Sequence, residues 1–308
     1  MLSIGRFLHI SAGISNGVKE RSMAFWIIQT LNGLSFSMML FLVAAGFSLV
    51  FGLMKIINIA HGSFYLLSAY IGLTILRMTD NFLLATIIGS IVAAVVGIFM
   101  QSLFLRRFHM KELQQVLLTF GFVFMIGDAC LWIWGGAPFS LPKPSLFKGS
   151  ILIGSVVFPS YRLLVILVGV IIAVGLWIFQ EKTKYGAIVR AGVDDEEMLR
   201  GSGINIQMVF AGVFGLGALL AGIGGIIGGP FVGVSPGVDM SMLLLALVVV
   251  VIGGIGSLKG AFVGSLFVGL VDNFGKALFP ELSMFTLFAP MAIILGIRPE
   301  GIFGKMGE

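Results

Sequence analysis

Long uncharged, apolar runs broken by short polar interruptions make up most of the chain. They cover Phe25–Met54, Ile56–Leu76, Asn81–Leu105, Leu113–Gly127 (continuing past Asp128 to Trp134) and Leu163–Gln180. Four more follow at Ile204–Val238, Met240–Leu258, Gly260–Val271 and Leu282–Ile297. A helix needs about 20 apolar residues to cross a bilayer core. The pattern therefore predicts an all-α polytopic membrane protein with eight or nine membrane segments. The last two runs are short enough to tilt, re-enter or take in neighbouring polar residues. Residues 1–24 have no continuous apolar core and do not make a signal peptide. Ile4, Phe7, Leu8, Ile14 and Val18 recur at near-helical spacing, so this segment is either a surface-lying amphipathic helix or a frayed tail. The expected organisation is this N-terminal segment, one transmembrane domain over 25–304, and a tail at 305–308.

Composition agrees with the pattern. The AVILMFWYC set is 58% of 308 residues, Gly supplies 43 more, and charged residues are only 11%. A soluble domain carries roughly a quarter charged residues, and a globule this apolar could not cover its surface with polar groups. Cys130 is the only cysteine and there are three histidines, which excludes CxxC chemistry and leaves no metal site to propose. The net charge of +5 reads as the basic excess of cytoplasmic loops. No basic cluster interleaved with aromatics points to nucleic acid.

Charge also orients the chain. Arg106, Arg107, Lys111, Lys182, Lys184, Arg190, Arg200, Lys259, Arg298 and Lys305 fall on one side; Arg77, Lys143, Lys148, Arg162 and Lys276 fall on the other. The richer side, with the C-terminus, is cytoplasmic by the positive-inside rule. The N-terminus stays open. Two crossings within residues 25–76 put Arg6, Lys19 and Arg21 outside, whereas one interrupted crossing with a re-entrant leg puts them inside.

Two loops stand out. Residues 135–162, with Pro138, Pro142, Pro144 and Pro159, predict an external irregular loop or short hairpin. Residues 181–206 form the largest cytoplasmic insertion, helix-compatible and of mixed charge, suited to docking a soluble partner. The chain has no phosphate-cradling GxxxxGK[ST] loop, no HExxH and no GxSxG. An enzyme is not indicated, and energy from ATP would come through another chain.

Polar residues within the runs are Asn58, His61, Asp128, Asp272 and Asn273. Asp128 and Asp272 read as satisfied structural carboxylates near outer span ends. Asn58-Ile-Ala-His61-Gly62-Ser63 is a polar break between apolar runs, either a discontinuous helix that meets a polar substrate or a plain loop. Gly253-Gly254-Ile255-Gly256-Ser257 breaks a second helix, as a pathway element or a tight turn. Glycines four apart, at 224–229 and 256–264, mark packing seams. They serve contacts within the chain, or, being more than one small bundle needs, contacts with a second chain.

These segments resemble permease subunits of branched-chain amino acid ABC importers of the LivH type. Asn58-Ile-Ala-His61-Gly62-Ser-Phe-Tyr65 is similar to the family's INFAHG motif at the first helix break. Thr183-Lys-Tyr-Gly186-Ala-Ile-Val-Arg190-Ala191, followed by Gly203-Ile204-Asn205, is similar to its ATPase-docking loop. Gly253-Gly-Ile-Gly256-Ser257 and Arg298-Pro-Glu-Gly301-Ile-Phe303-Gly304 match as well. The loop departs from the family at Ala187, where relatives often carry a basic residue, at Leu199, where they carry Ala, and in its heavier acidic run Asp194–Glu197.

The resemblance implies a helix bundle like that of type II ABC importers and no cofactor. It places Asn58, His61, Gly62, Ser63, Gly253, Gly254, Gly256 and Ser257 on the translocation path. It places Thr183, Gly186, Arg190, Ala191, Gly203, Ile204 and Asn205 at the ATPase contact. Implied partners are a second, LivM-type permease chain (a homodimer being the alternative), two cytoplasmic ATP-binding subunits and an extracytoplasmic amino-acid-binding protein. The implied location is the inner membrane of a bacterium. Branched-chain or other hydrophobic amino acids, and small amides or urea, fit the relatives. An ion-coupled secondary transporter is the alternative from another class; it would need intramembrane carboxylates along a path and no docking loop.

Overall fold

The computed structural model describes residues 2–55, 57–108, 111–154, 156–194 and 196–304, without the side chains of residues 1–22, 194 and 196. The amphipathic face expected from Ile4 to Val18 and the tail at 305–308 lie outside the described residues. Seven helices are long and apolar enough to cross a membrane. These are α1 (Leu2–Met54, apolar over Met23–Met54), α3 (Phe82–Leu103), α4 (Glu112–Trp134), α5 (Ser160–Lys182), α8 (Ile206–Val232), α10 (Leu258–Leu278) and α11 (Ser283–Ile297, extended by a short turn from Pro280). Two further helices lie among them: α2 (His61–Thr79) and the 16-residue α9 (Val238–Gly253). With these the nine apolar runs of the sequence each correspond to a helix. Two short helices, α6 (Lys184–Asp194) and α7 (Glu196–Gly201), form the 181–206 insertion. The external loop contains a hairpin of β1 (Ser150–Ile153) and β2 (Val156–Pro159), registered Ser150↔Pro159 to Ile153↔Val156.

Helix α8 is the hub. Gly46 of α1 packs on the Gly217 backbone, and Met39 on Gly228, so α1 runs antiparallel to α8. Along α2, Phe64 meets Phe214, Ser68 Oγ donates to the Gly222 carbonyl at 2.8 Å, and Gly72 meets Ile226, so α2 runs parallel to it. Helix α3 returns antiparallel, with Gly89 on Ile226 and Gly97 on Ala218. Apolar burial drives helix association weakly in lipid, so close backbone approach and dispersion carry these seams. The glycines at 224–229 and 256–264 are all used this way within the chain, against Val43, Tyr65, Met39, Leu141, Gly52, Gly253 and Val249. The reading of these seams as a surplus for a second chain is therefore corrected.

Helices α1 and α2 run antiparallel, as they would in either arrangement of the N-terminal segment. The inner end of α1 touches the 181–206 insertion, with Leu53 against Gly192. At its outer end Asn32 Oδ1 accepts from Arg162 at 2.5 Å and Gln29 accepts from Asn273 Nδ2.

The seam between α1 and α8 gives a test. A Cβ on Gly46 would strike the Gly217 carbonyl, whereas one on Gly121 would meet nothing within 4 Å. Gly46→Val should therefore cost about 1–3 kcal/mol of stability through overpacking, and Gly121→Ala close to nothing. Thermal unfolding of the two variants in detergent measures the difference.

Candidate functional site

The polar break lies between Met54 and His61, where helix α1 stops and α2 has not begun. Lys55 ends the turn with φ of 53°, and the His61 amide donates to the Asn58 carbonyl at 3.1 Å. His61 is fully buried; its Nε2 lies 3.0 Å from the Val43 carbonyl and its ring abuts Phe47 and Phe64 edge-on. The imidazole therefore ties the start of α2 to the middle of α1. Asn58 is buried on the cytoplasmic side of it and lines a small cavity with Gln115, Thr119 and Phe214. Thr119 Oγ1 accepts from the Ile59 amide at 3.3 Å, fastening the break to α4.

A neighbouring carboxylate escapes the sequence reading. Asp239 interrupts two apolar runs, and so passes for a residue between spans. It lies instead in the first turn of α9, 7% exposed, and accepts from Ser63 Oγ at 3.4 Å. Gly62 lies flat on the Asp239 carbonyl, where a Cβ would not fit. The N-termini of α2 and α9 thus meet inside the bundle, and α9 begins at the level of Gly62. Two helix N-termini and one hydroxyl favour negative charge there. Among the described residues Asp239 has no ion-pair partner, in contrast to Asp272, which Lys276 Nζ meets at 2.7 Å. Asp239 thus brings a charge to the break. Only the contact of α9 with α2 reveals it. The reading of Asp128 as a satisfied carboxylate is corrected: it is exposed on α4, with no hydrogen bond or ion pair among the described residues.

The second break is the turn that joins the end of α9 to the start of α10. Gly254 and Gly256 have φ of 102° and 75°, which a side chain would strain, and Ser257 Oγ caps α10 by accepting from Gly260 N at 3.0 Å. Gly256 packs on Gly52, a few residues before the first break, and lies beside Val193 of α6. The Ile302 and Phe303 amides donate to the Ile252 and Gly253 carbonyls at 2.9 Å. The two glycine motifs, far apart in sequence, form one joint.

The 181–206 insertion has an inner and an outer face. Gly186, Val189 and Gly192 are buried, while Lys184, Tyr185 and Ala187 are exposed, Tyr185 at 74%. Thr183 Oγ1 accepts from the Gly186 amide at 3.0 Å and donates to the Phe179 carbonyl, which turns the chain from α5 into α6. Gly186 lies against the carbonyls of Phe179 and Gln180; it makes the corner and presents nothing outward. Arg190 bends back to Glu181 at 3.5 Å, and Ala191 is half-buried on the bundle. Gly203, at φ of 78°, ends α7, Ile204 packs inward, and Asn205 caps α8 by accepting from Gln207 N at 3.1 Å and Met208 N at 3.4 Å. These residues therefore shape and hold the insertion, and Tyr185 and Ala187 form its free face. No group of three His, Cys, Asp or Glu among the described residues could hold a metal ion.

The α2–α9 junction predicts coupling between its two polar partners. Ser63→Ala should cost about 1–2 kcal/mol by leaving a buried carboxylate without its donor. In an Asp239→Leu background the same change should cost much less, so the pair is non-additive. A double-mutant cycle on thermal unfolding in detergent measures this.

Comparison with known proteins agrees with this architecture. The sequence profile described as "Branched-chain amino acid transport system / permease component" matches residues 29–295. The high-affinity branched-chain amino acid transport system permease protein BraD of Pseudomonas aeruginosa is 28% identical over 297 residues, 91% of this chain and 96% of that protein. The permease protein LivH of the corresponding system in Escherichia coli is 28% identical over 298 residues, with the same coverage. Among solved structures, PsaBC from Streptococcus pneumoniae in complex with Fab aligns with a TM-score of 0.48 and 14% identity, covering 86% of this chain and 89% of that one. A helical, multi-pass chain matched over nearly its whole length by one profile has a plain assignment: it belongs to the permease family of branched-chain amino acid transport systems.

Proposed function

We propose that this chain forms half of the translocation path of an ATP-driven importer for branched-chain or other hydrophobic amino acids in a bacterial inner membrane. The other half comes from a related, non-identical LivM-type permease chain. Two cytoplasmic ATP-binding subunits supply the energy, and an extracytoplasmic binding protein delivers the amino acid. The observation that carries the reading is the family match over residues 29–295, joined to an amphipathic insertion on the basic side of the membrane. The chain has no nucleotide-binding loop of its own.

The mechanism is alternating access. The exposed face of α6, with Tyr185 and Ala187, seats in a groove of an ATPase. Its buried face bears on Leu53 and lies beside the Gly253–Ser257 joint. Movement of the ATPase therefore reaches the inner ends of α1, α9 and α10 through packed contacts. Asn58, His61, Gly62 and Ser63 flank the path at the first break, and Gly253, Gly254, Gly256 and Ser257 form the hinge at the second. Small glycine contacts allow sliding, while His61 and Ser63 hold the start of α2 in register.

The test is reconstitution of this chain with both classes of partner in proteoliposomes, measuring uptake of radiolabelled leucine. Uptake should require ATP and the binding protein. Tyr185→Ala combined with Ala187→Arg should remove about 1–2 kcal/mol or more of docking and lower uptake about tenfold, with the bundle still folded. Gly186→Arg, by contrast, should disrupt the α5–α6 corner itself and reduce assembly. Leucine uptake by this chain alone, without ATP, would overturn the reading and favour an ion-coupled carrier. Uptake of urea or small amides in preference to leucine would redirect the substrate assignment.

A further inference from the structure

The carboxylates at membrane depth have unlike surroundings. Asp272 is buried and paired with Lys276, and Asp239 is buried beside Ser63. Asp128 is exposed on α4 and has no hydrogen bond or ion pair among the described residues. Depth makes this costly. A helix of 23 residues is about 34 Å long at about 1.5 Å per residue. Asp128 stands six residues before Trp134, about 9 Å from that end, and so lies inside a hydrocarbon core of about 30 Å. Its side chain lacks the long stem by which lysine and arginine carry a charge out to the interface. An ionisable group at this depth faces a partner or a water-filled cavity.

Asp128 also belongs to a line. Residues seven apart on a helix are displaced around it by only about 20°. Gln114, Gly121 and Asp128 therefore stand one above another on α4, and all three are exposed. A Cβ on Gly121 would meet nothing within 4 Å. Over about 21 Å the line runs from an amide, through bare backbone, to a carboxylate. Exposed Phe124, Met125 and Leu131 border it. The opposite face of α4 is committed to the bundle, where Thr119 holds the Ile59 amide and Ile126 and Cys130 are buried. Phe64, Tyr65, Tyr70 and Phe214 fill the core behind it, so a polar solute passes along a surface of this chain.

We propose that the Gln114–Gly121–Asp128 line faces the translocation path, and that Asp128 is the group that meets the ammonium of the entering amino acid. This deepens the reading of the chain as an amino-acid permease and rests on it. A zwitterion with an apolar side chain presents a fixed positive charge beside a hydrophobic tail. Asp128, bordered by Phe124, Met125 and Leu131, presents the complement. A carboxylate in contact with water attracts that charge weakly enough to release it, and Gly121 and the neutral Gln114 leave the way beyond it open. A partner chain seated on the line would have to bring a cation to Asp128, and lipid would have to accept the bare charge. Either of these leaves the line dry.

The experiment is thiol labelling of the assembled importer in lipid nanodiscs, read by mass spectrometry on this chain. Gly121→Cys places a thiol at the middle of the line, where its side chain meets no neighbour. Ile171→Cys, at a residue 59% exposed in the middle of α5, is the control, and the native Cys130, 1% exposed, gives the blank. The cationic trimethylammonium-ethyl methanethiosulfonate should modify Gly121→Cys at least about tenfold faster than Ile171→Cys, because a thiol facing lipid is out of reach of a charged reagent. Adding Asp128→Asn should lower the ratio of cationic to anionic (sulfonatoethyl) labelling about fivefold, the scale of one charge about 10 Å away in a wet cleft. Asp128→Glu should restore the ratio, and Asp128→Asn should lower leucine uptake several-fold. Equal labelling of Gly121→Cys and Ile171→Cys would overturn the proposal, whether lipid or a partner chain covers the line. A charge ratio or an uptake rate that Asp128→Asn leaves unchanged would overturn it as well. The two readings fail separately. ATP-driven leucine uptake with an inert thiol in Gly121→Cys sinks the path assignment alone. The full labelling pattern in an importer that does not take up leucine sinks the substrate reading and leaves a cation-attracting path along α4.

Discussion

Close backbone approach along α8 is the constraint on which the rest of the structure depends. In lipid there is little to gain from burying one apolar surface against another, so helices associate where small residues let their main chains touch. Gly217, Gly222 and Gly225 bring α1, α3 and α2 against one helix, with the carbonyls of Gly217 and Tyr65 in direct contact with glycine faces. The outer helices need no such fit: α4 exposes most of its apolar side chains, and α5 and α11 bury only a few of theirs. A tight central seam with a loose periphery lets inner helix ends move while the hub stays intact.

The polar groups sit where that packing is interrupted. Helix α2 begins at His61 and α9 begins at Val238, and the two N-termini abut through Gly62 and Asp239. Burying a carboxylate is expensive without a partner. Here a serine hydroxyl and two helix N-termini offset part of that cost, which favours a junction held by electrostatics over one held by apolar contact. His61 is used differently. Its bond to Val43 and its aromatic neighbours make it a fastener between α1 and α2, so any contact with a solute at this break would fall to its neighbours.

Beside the 181–206 insertion three separate stretches converge. The end of α1, the glycine turn after α9 and the C-terminal Arg298–Gly304 segment touch one another within a few residues of α6. The backbone pairing of Ile302 and Phe303 with the end of α9 extends that helix's last turn into the tail. A displacement of α6 is thus shared by several helix ends at once, which is the mechanical requirement for coupling a docked partner to the bundle.

Much of this was legible in the residues. Bilayer thickness sets a length scale, so the nine apolar runs correspond to nine helices. The family was legible too, because its motifs lie at the breaks, where few residue types fit. Depth and facing were not. Asp239 reads as a spacer because charge between two apolar runs looks like a loop. Gly186 reads as a contact residue because a motif does not say which face it occupies. The glycine rows read as spare seams because spacing along a helix does not name the neighbour. Hydropathy is a local, one-dimensional property that the sequence by itself determines. Which faces meet and which polar groups are enclosed depend on contacts between residues more than a hundred positions apart, and only the tertiary structure decided those.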